Sequence, residues 1–441
     1  MKDVSALIQE NGAVQDRSIY WDDDIYLLEQ ERIFARAWLF LTHESQIPLP
    51  GDFIATRMGE DEVIVTRHTD GSLKAFLNSC SHRGNQICYS EMGNSKSFTC
   101  AYHGWSFGTD GKLINVPLEN ETYYNNIDKN RFDLRQVAQI DSYHGLIFAT
   151  FDPTAPPLMD FLGDMAWYMD AFMDVPGGTE LLGPPMKSIL DCNWKVPVEN
   201  FIGDGYHVGW AHAAALDAIQ SPLTSMKGNA PGYEPKTSGI QVATEGGHGM
   251  GIIWDAAAAL HVNPAYGEWI NYRTEMVREK RGEWGAKLYN GHWDASIFPN
   301  CSFLYGTNTF KHWQPAGPRS IEVFTWTLVE KEMPEELKQY LSVMNMMTFG
   351  TAGMLETDDG ENMEGCTGTN KGWVTRQGKV YSGMGQINEG PHDELPGIVS
   401  DGIVCETSYR GFYRAWADMM SGKSWEEMSR GGSRRSIKEV A

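Results

Sequence analysis

The chain is predicted to be α+β, built as two domains or three. Three observations carry this. Its 441 residues exceed what one hydrophobic core usually serves. Short β-prone runs and turn dipeptides fill residues 37 to 151. Beyond the proline-rich stretch Asp152-Pro153-Thr154-Ala155-Pro156-Pro157, helical and extended patterns are mixed.

Residues 1–36 read as helical with acidic decoration. Trp21-Asp22-Asp23-Asp24 precedes the apolar positions Ile25, Leu27, Leu28, Ile33 and Phe34, a helix-start pattern. From Trp38 the texture is β: runs such as Val63-Ile64-Val65-Thr66 lie between the hairpin signals Asp70-Gly71 and Asp110-Gly111. Residues 200–215 read as a glycine-interrupted helix. Residues 215–265, rich in Gly, Ala and Pro, read as long loops. Residues 297–330 read as strands, with Phe324, Trp326 and Leu328 alternating with Thr325 and Thr327 as on a half-buried strand. Pro334 opens a helix running to about Phe349. The domains expected are 1–36, 37–155 and 156–441, the first belonging with the third.

Composition narrows the function. With 58 acidic and 36 basic residues the net charge is −22, which repels phosphate and argues against nucleic acid as a partner. Apolar residues never run to membrane-helix length, and Met1 to Val14 has no signal-peptide core, so a soluble cytoplasmic protein without membrane contact is expected. Seven cysteines, an odd number without dense spacing, argue against a disulfide framework. No G-x-G-x-x-G follows a strand, so no NAD is expected to bind this chain.

Two constellations carry chemistry. The first is Cys80-Ser81-His82 and Cys100-Ala101-Tyr102-His103, each ending beside a glycine turn. The residue types allow unrelated buried side chains, a structural zinc, or a [2Fe–2S] cluster with cysteines on one iron and histidines on the other. The second is His207 and His212 with the acidic run Thr357-Asp358-Asp359-Gly360-Glu361-Asn362. Five residues apart, the two imidazoles would point about 140° apart on an ideal helix. Gly203, Gly205 and Gly209 make a break that could bring them together. Two imidazoles and one carboxylate form the open triad that suits non-haem Fe(II) oxygenases; the alternative is two unrelated histidines and a solvated acidic loop.

Cys80-Ser-His82-Arg83-Gly84 and Cys100-Ala-Tyr-His103-Gly104-Trp105 match the Rieske signature C-x-H-x17-C-x2-H. Glu199-Asn200-Phe201-Ile-Gly-Asp204-Gly-Tyr-His207-x4-His212 and Glu356-Thr-Asp358-Asp359-Gly-Glu-Asn362-Met363 resemble the catalytic-iron segments of the large subunits of Rieske non-haem iron aromatic-ring-hydroxylating dioxygenases. The similarity is to the naphthalene and polycyclic aromatic type and covers nearly the whole chain. It implies an antiparallel β Rieske domain and a catalytic domain whose central antiparallel sheet is flanked by helices, of helix-grip type. It implies a cluster held by Cys80, Cys100, His82 and His103, and a mononuclear iron held by His207, His212 and Asp359, with Asp358 as the runner-up ligand. Asp204 is expected to bridge His207 to His103 of a neighbouring subunit, which implies a trimer of these chains, partner β subunits and an α3β3 hexamer. Both atoms of O2 would enter adjacent ring carbons to give a cis-dihydrodiol, with electrons from NAD(P)H through a reductase and a ferredoxin.

By the same resemblance the substrate pocket comprises Asn200, Phe201, Val208, Leu223, Met226, His292, Asp294, Phe349 and Leu355. Most are apolar, which suits a flat hydrocarbon. Leu355 stands where naphthalene dioxygenases typically carry tryptophan, which implies a wider pocket. No Arg or Lys occupies these positions, although Lys227 adjoins one; this counts against the alternative of a salicylate-type monohydroxylase. A Rieske electron carrier without oxygen chemistry is the alternative of another class.

Overall fold

The computed structural model describes residues 4–218 and 238–431. The N-terminal stretch differs from the helical expectation. Ile8–Gln9 and Val14–Asp16 pair as an antiparallel hairpin, which Lys379–Tyr381 extends to three strands. The connecting turn holds Asn11 in the left-handed region (φ 57°), turn chemistry that the surrounding acidic, helix-compatible residues concealed. The predicted helix itself forms at Asp23–Glu29. The Asp22 carboxylate caps it by accepting the N–H groups of Asp24 and Ile25.

The β-rich segment forms three small sheets. Asp70-Gly71 and Asp110-Gly111 lie in hairpins, between Asp61–Arg67 and Leu73–Leu77 and between Ser106–Gly108 and Leu113–Asn115. Phe53, Ile64, Phe76, Phe98, Trp105 and Phe107 make a separate core that includes Cys80 and Cys100. The third sheet, Leu39–His43 with Leu146–Thr150 and Gln139–Tyr143, belongs to a different core. Its Phe40 packs on Phe310 and Trp326 of the larger domain, with ring centroids 4.7 and 5.9 Å apart. The ends of the β segment are thereby fixed to that domain, while its cysteines belong to the separate core.

The larger domain is a nine-stranded antiparallel sheet. Its spatial order is Thr179–Leu190, Ile321–Glu330, Thr309–Pro315, Cys301–Tyr305, His292–Ile297, Gly249–Ile253, Gly239–Ala243, Ile398–Val399 and Gly390–Pro391. The predicted strands of 297–330 are present. The alternation at 324–328 does not mark a solvated face, however: Thr325 and Thr327 are as buried as Trp326 and Leu328. Helix Glu335–Thr348 covers this strand, with Asn345 donating to Trp326 O and Thr327 Oγ1.

Two further differences concern 215–289. The predicted loops contain two sheet strands, Gly239–Ala243 and Gly249–Ile253, paired in register. Their glycines hide strand character because they answer to close backbone packing, not to turns. The helical stretch Pro264–Tyr289, broken at Gly282 (φ 69°, ψ −168°), is absent from the sequence expectation. Its start was legible in principle: Asn263 caps it and Pro264 takes the first turn. Among the described residues, no helix is long and apolar enough to cross a membrane.

Candidate metal centres

The two Cys–His loops share one backbone design. Cys80 N–H donates to Asn85 O (2.8 Å) and Gly84 N–H to Cys80 O (2.7 Å); Cys100 N–H donates to Trp105 O (2.8 Å) and Gly104 N–H to Cys100 O (2.9 Å). Each loop closes on a glycine at φ 73° or 74°, a conformation that penalises a side chain. A Cβ on Gly104 would also stand 2.8 Å from Pro117 Cγ. The thiols are buried at the loop bases, and the His82 and His103 rings meet edge to face at 4.5 Å. His82 stacks on Trp105 at 4.8 Å, and its buried Nδ1 has no hydrogen-bond partner. Burial resists ionisation of Cys100, yet N–H groups of Tyr102 and His103 hold its thiol below the ordinary value; burial pushes Cys80 up. Two thiols and two imidazoles, one of them with a buried nitrogen that lacks a partner, fit a two-iron unit. A single tetrahedral zinc would need all four donors within about 4 Å of one another. Among the described residues, the one group of three or more His, Cys, Asp or Glu donor atoms within 4.8 Å of one another is elsewhere.

That group is His207, His212 and Asp359. Helix Lys195–Phe201 ends, the chain turns through Gly203, and helix Gly205–Ala211 follows. The turn depends on glycine. Gly203 has φ 118°, and a Cβ there would lie 2.3 Å from Gly251 N on the sheet. Helix and strand therefore meet backbone to backbone, and Gln241 Nε2 fastens the turn by donating to Gly203 O and Cys405 O. His212 leaves helical geometry (φ −98°, ψ 15°). That break removes the 140° separation, and the two Nε2 atoms stand 3.2 Å apart. Asp359 Oδ1 lies 3.4 Å from His207 Nε2 and 3.2 Å from His212 Nε2. Three atoms bound at about 2.1 Å to one ion and roughly at right angles would be about 3.0 Å apart, so this triangle fits a single metal.

The surroundings orient the donors. His207 Nδ1 lies 2.5 Å from Asp204 O and 3.5 Å from its Oδ2. His212 Nδ1 lies 3.3 Å from Asp358 Oδ2. Both outer nitrogens are thus engaged, leaving the two Nε2 atoms directed at Asp359. Asp358 sits behind His212 and Asp359 faces the triangle. The acidic run is the first turn of helix Glu356–Asn370, where negative charge is favourable. Burial opposes charge here, yet Asp204 and Asp359 hold the His207 proton well above the ordinary imidazole range, and the two imidazoles hold Asp359 low. Asp204 also caps its helix, accepting from the N–H groups of Tyr206 (3.2 Å) and His207 (3.3 Å), and its side chain keeps 22 % of its surface. The Asn200 amide lies 3.3 Å from both His207 Nε2 and Asp359 Oδ1.

A pocket opens beside the triangle. Of the residues that the resemblance implies for a substrate pocket, Asn200, Phe201, Val208, His292, Asp294, Phe349 and Leu355 line it. Leu216, Ile253, Leu260 and Leu304 also line it and were not anticipated. Ile253 and Leu304 are the register partners of His292 and Asp294, a relation set by sheet pairing rather than local pattern. Leu223, Met226 and the neighbouring Lys227 lie outside the described residues.

A Rieske-type loop pair and a two-histidine, one-carboxylate triad carried by one chain define an iron-dependent oxygenase with separate electron-transfer and oxygen-activating centres. Residues 37–138 match the Rieske [2Fe-2S] domain, and residues 158–422 the ring hydroxylating alpha subunit (catalytic domain). The chain is 44 % identical, over 96 % of its length and 94 % of the relative, to the large oxygenase component of a naphthalene 1,2-dioxygenase system from Pseudomonas aeruginosa. It is 41 % identical, over 96 % and 94 %, to that of a 2,4-dinitrotoluene dioxygenase system from Burkholderia sp. (strain RASC). It superposes on a naphthalene 1,2-dioxygenase variant bound to phenanthrene with a TM-score of 0.94 at 42 % identity, covering 97 % of this chain and 96 % of that one. The chain belongs to the large subunits of the Rieske-type ring-hydroxylating dioxygenases. It is an oxidoreductase that uses a Rieske cluster, a mononuclear iron and O2.

Proposed function

We propose that this chain oxidises a polycyclic aromatic hydrocarbon such as naphthalene or phenanthrene to a cis-dihydrodiol. The observation that carries the reading is the triad's placement at the wall of a mainly apolar pocket. In this reading Cys80 and Cys100 hold one cluster iron, His82 and His103 the other, and His207, His212 and Asp359 hold the mononuclear iron. That iron, when bound, supplies O2 activation. Three protein donors leave coordination positions free, which the reaction requires. Phe201, Val208, Phe349 and Leu355 exclude water and press the flat ring against the triad. The Asn200 amide, in reach of both His207 and Asp359, steadies the donors.

The chain acts as the terminal component of a system that includes a ferredoxin, a reductase drawing on NAD(P)H, and a small subunit, in an α3β3 hexamer. Asp204 links His207 to His103 of the partner subunit; its residual exposure and its contact with His207 support that bridge. Residues 37–155 form the electron-transfer domain, and 156–441 with 1–36 the catalytic domain. The N-terminal hairpin's pairing with Lys379–Tyr381 supports the last point. The location is cytoplasmic. Among the described pocket residues no Arg or Lys awaits a carboxylate, which disfavours salicylate.

The test is product analysis from cells expressing the chain with its small subunit, a ferredoxin and a reductase, under isotopically labelled O2. The expected product from naphthalene or phenanthrene is a cis-dihydrodiol bearing two labels. A singly labelled phenol from salicylate, with no dihydrodiol from either hydrocarbon, overturns the reading.

A further inference from the structure

The pocket has one polar wall that the oxidation of a bare hydrocarbon does not use. His292 and Asp294 stand two residues apart on the strand His292–Ile297, so both side chains leave the same sheet face. Asp294 lies across from Gly251 on one side and Leu304 on the other. Gly251 is the residue on which Gly203 rests, so this sheet row faces the turn that carries His207. Asp294 is only 9 % exposed, and the pocket is its opening.

Its hydrogen-bonding capacity is nearly empty. Among the described residues its one polar contact is His292 Nε2 at 3.5 Å, long for a hydrogen bond. His292 Nδ1 is buried without any partner. The arrangement that wastes least places the imidazole proton on Nε2, aimed at Asp294. A carboxylate has about four acceptor positions, and three would remain unfilled in an apolar chamber, which is costly. A donor on the bound molecule relieves that cost, whereas a second carboxylate aggravates it.

We propose that Asp294, oriented by His292, is a specificity residue that accepts a hydrogen bond from substrate. The class it selects is fused aromatic rings carrying an O–H or N–H donor, in preference to size-matched rings without one and to aromatic carboxylates. The inference rests on the reading of this pocket as the substrate site.

The test uses the assembled holoenzyme and three two-ring ligands: 2-naphthol, its methyl ether 2-methoxynaphthalene, and 2-naphthoate. Binding is measured by displacement and turnover by product formation, for wild type, Asp294→Leu and Asp294→Asn. In wild type, 2-naphthol should bind about tenfold more tightly than its ether, and 2-naphthoate more weakly than either. Asp294→Leu should bring the naphthol-to-ether ratio within about twofold, while Asp294→Asn, which keeps a carbonyl acceptor, should preserve a preference for naphthol. Equal wild-type affinity for naphthol and its ether overturns the proposal without recourse to any variant. So does a ratio unmoved in Asp294→Leu that retains the Rieske absorption. Naphthalene oxidation in the same wild-type preparation separates the two levels. If naphthalene yields its dihydrodiol and the ratio fails, only the role of Asp294 falls; if naphthalene is not oxidised, the reading of the pocket falls first.

Discussion

His248 and His207 put one side-chain type to opposite uses. His248 is sealed in the core, its Nδ1 accepting Phe298 N–H (2.9 Å) and its Nε2 donating to Phe161 O (2.8 Å). Those partners admit only the neutral ring, and burial pushes its pKa down to about 4. Burial does the same to His43 and His261, each about 4, and to His312, about 3. An unfolded chain protonates these rings near 6.5. The unfolded state therefore binds more protons below that pH. The stability these rings contribute is complete above about 6.5 and is lost as pH falls toward 4. Denaturant midpoints measured across that window should fall with acidity, and His248→Gln should flatten the slope by about one proton. A midpoint constant from pH 7 to 4.5 would contradict this. His207 is the converse case: its Nε2 is left to two other donors, Asp359 and His212, and its affinity for a proton reflects a place that suits a cation.

At the scale of elements, the iron triangle depends on two helix interruptions and one close approach. Gly203→Ala would combine a left-handed φ with a Cβ inside the backbone of Gly251. We expect a loss of roughly 2 kcal/mol or more in stability, with mononuclear iron lost before the cluster; iron analysis and Rieske absorption on the purified variant check it. Unchanged iron content would show that the contact does not position His207. Legibility followed the same physics. Helix Asp23–Glu29 and the hairpins at Asp70-Gly71 and Asp110-Gly111 were readable because caps and turns are local signals. The strands Gly239–Ala243 and Gly249–Ile253 were not, because glycine there answers to a neighbour far away in sequence. Spacing alone set His207 and His212 apart; the break at His212 that reunites them is a tertiary outcome. Asp359 was separable from Asp358 only through resemblance, and the structure adds the reason: one faces the triangle, the other backs His212. The buried pair of Lys311 and Glu356 was invisible for the same cause. Lys311 Nζ reaches Glu356 Oε2 (2.5 Å) and Phe349 O (3.1 Å), tying the pocket wall to the helix that bears Asp359.

At the scale of the molecule, the chain holds two chemistries apart in two cores. The thiolate loops sit on a small β core of their own. The triad sits where helices cross the large antiparallel sheet. The sheet Leu39–His43, Leu146–Thr150 and Gln139–Tyr143 joins them as one body. Sequence motifs single out the residues of both candidate centres, because a metal site needs specific residue types at short spacings. The packing that joins them was not legible, since it rests on strands from both ends of the β segment meeting Phe310 and Trp326. The division of labour is open to one assay: iron, zinc and acid-labile sulfide per chain in the purified protein and in Asp359→Ala. We expect about three irons and two sulfides in the parent, and in the variant the loss of about one iron with the Rieske absorption intact and turnover abolished. Zinc in place of the cluster, or a variant that keeps every iron and its activity, would contradict the account.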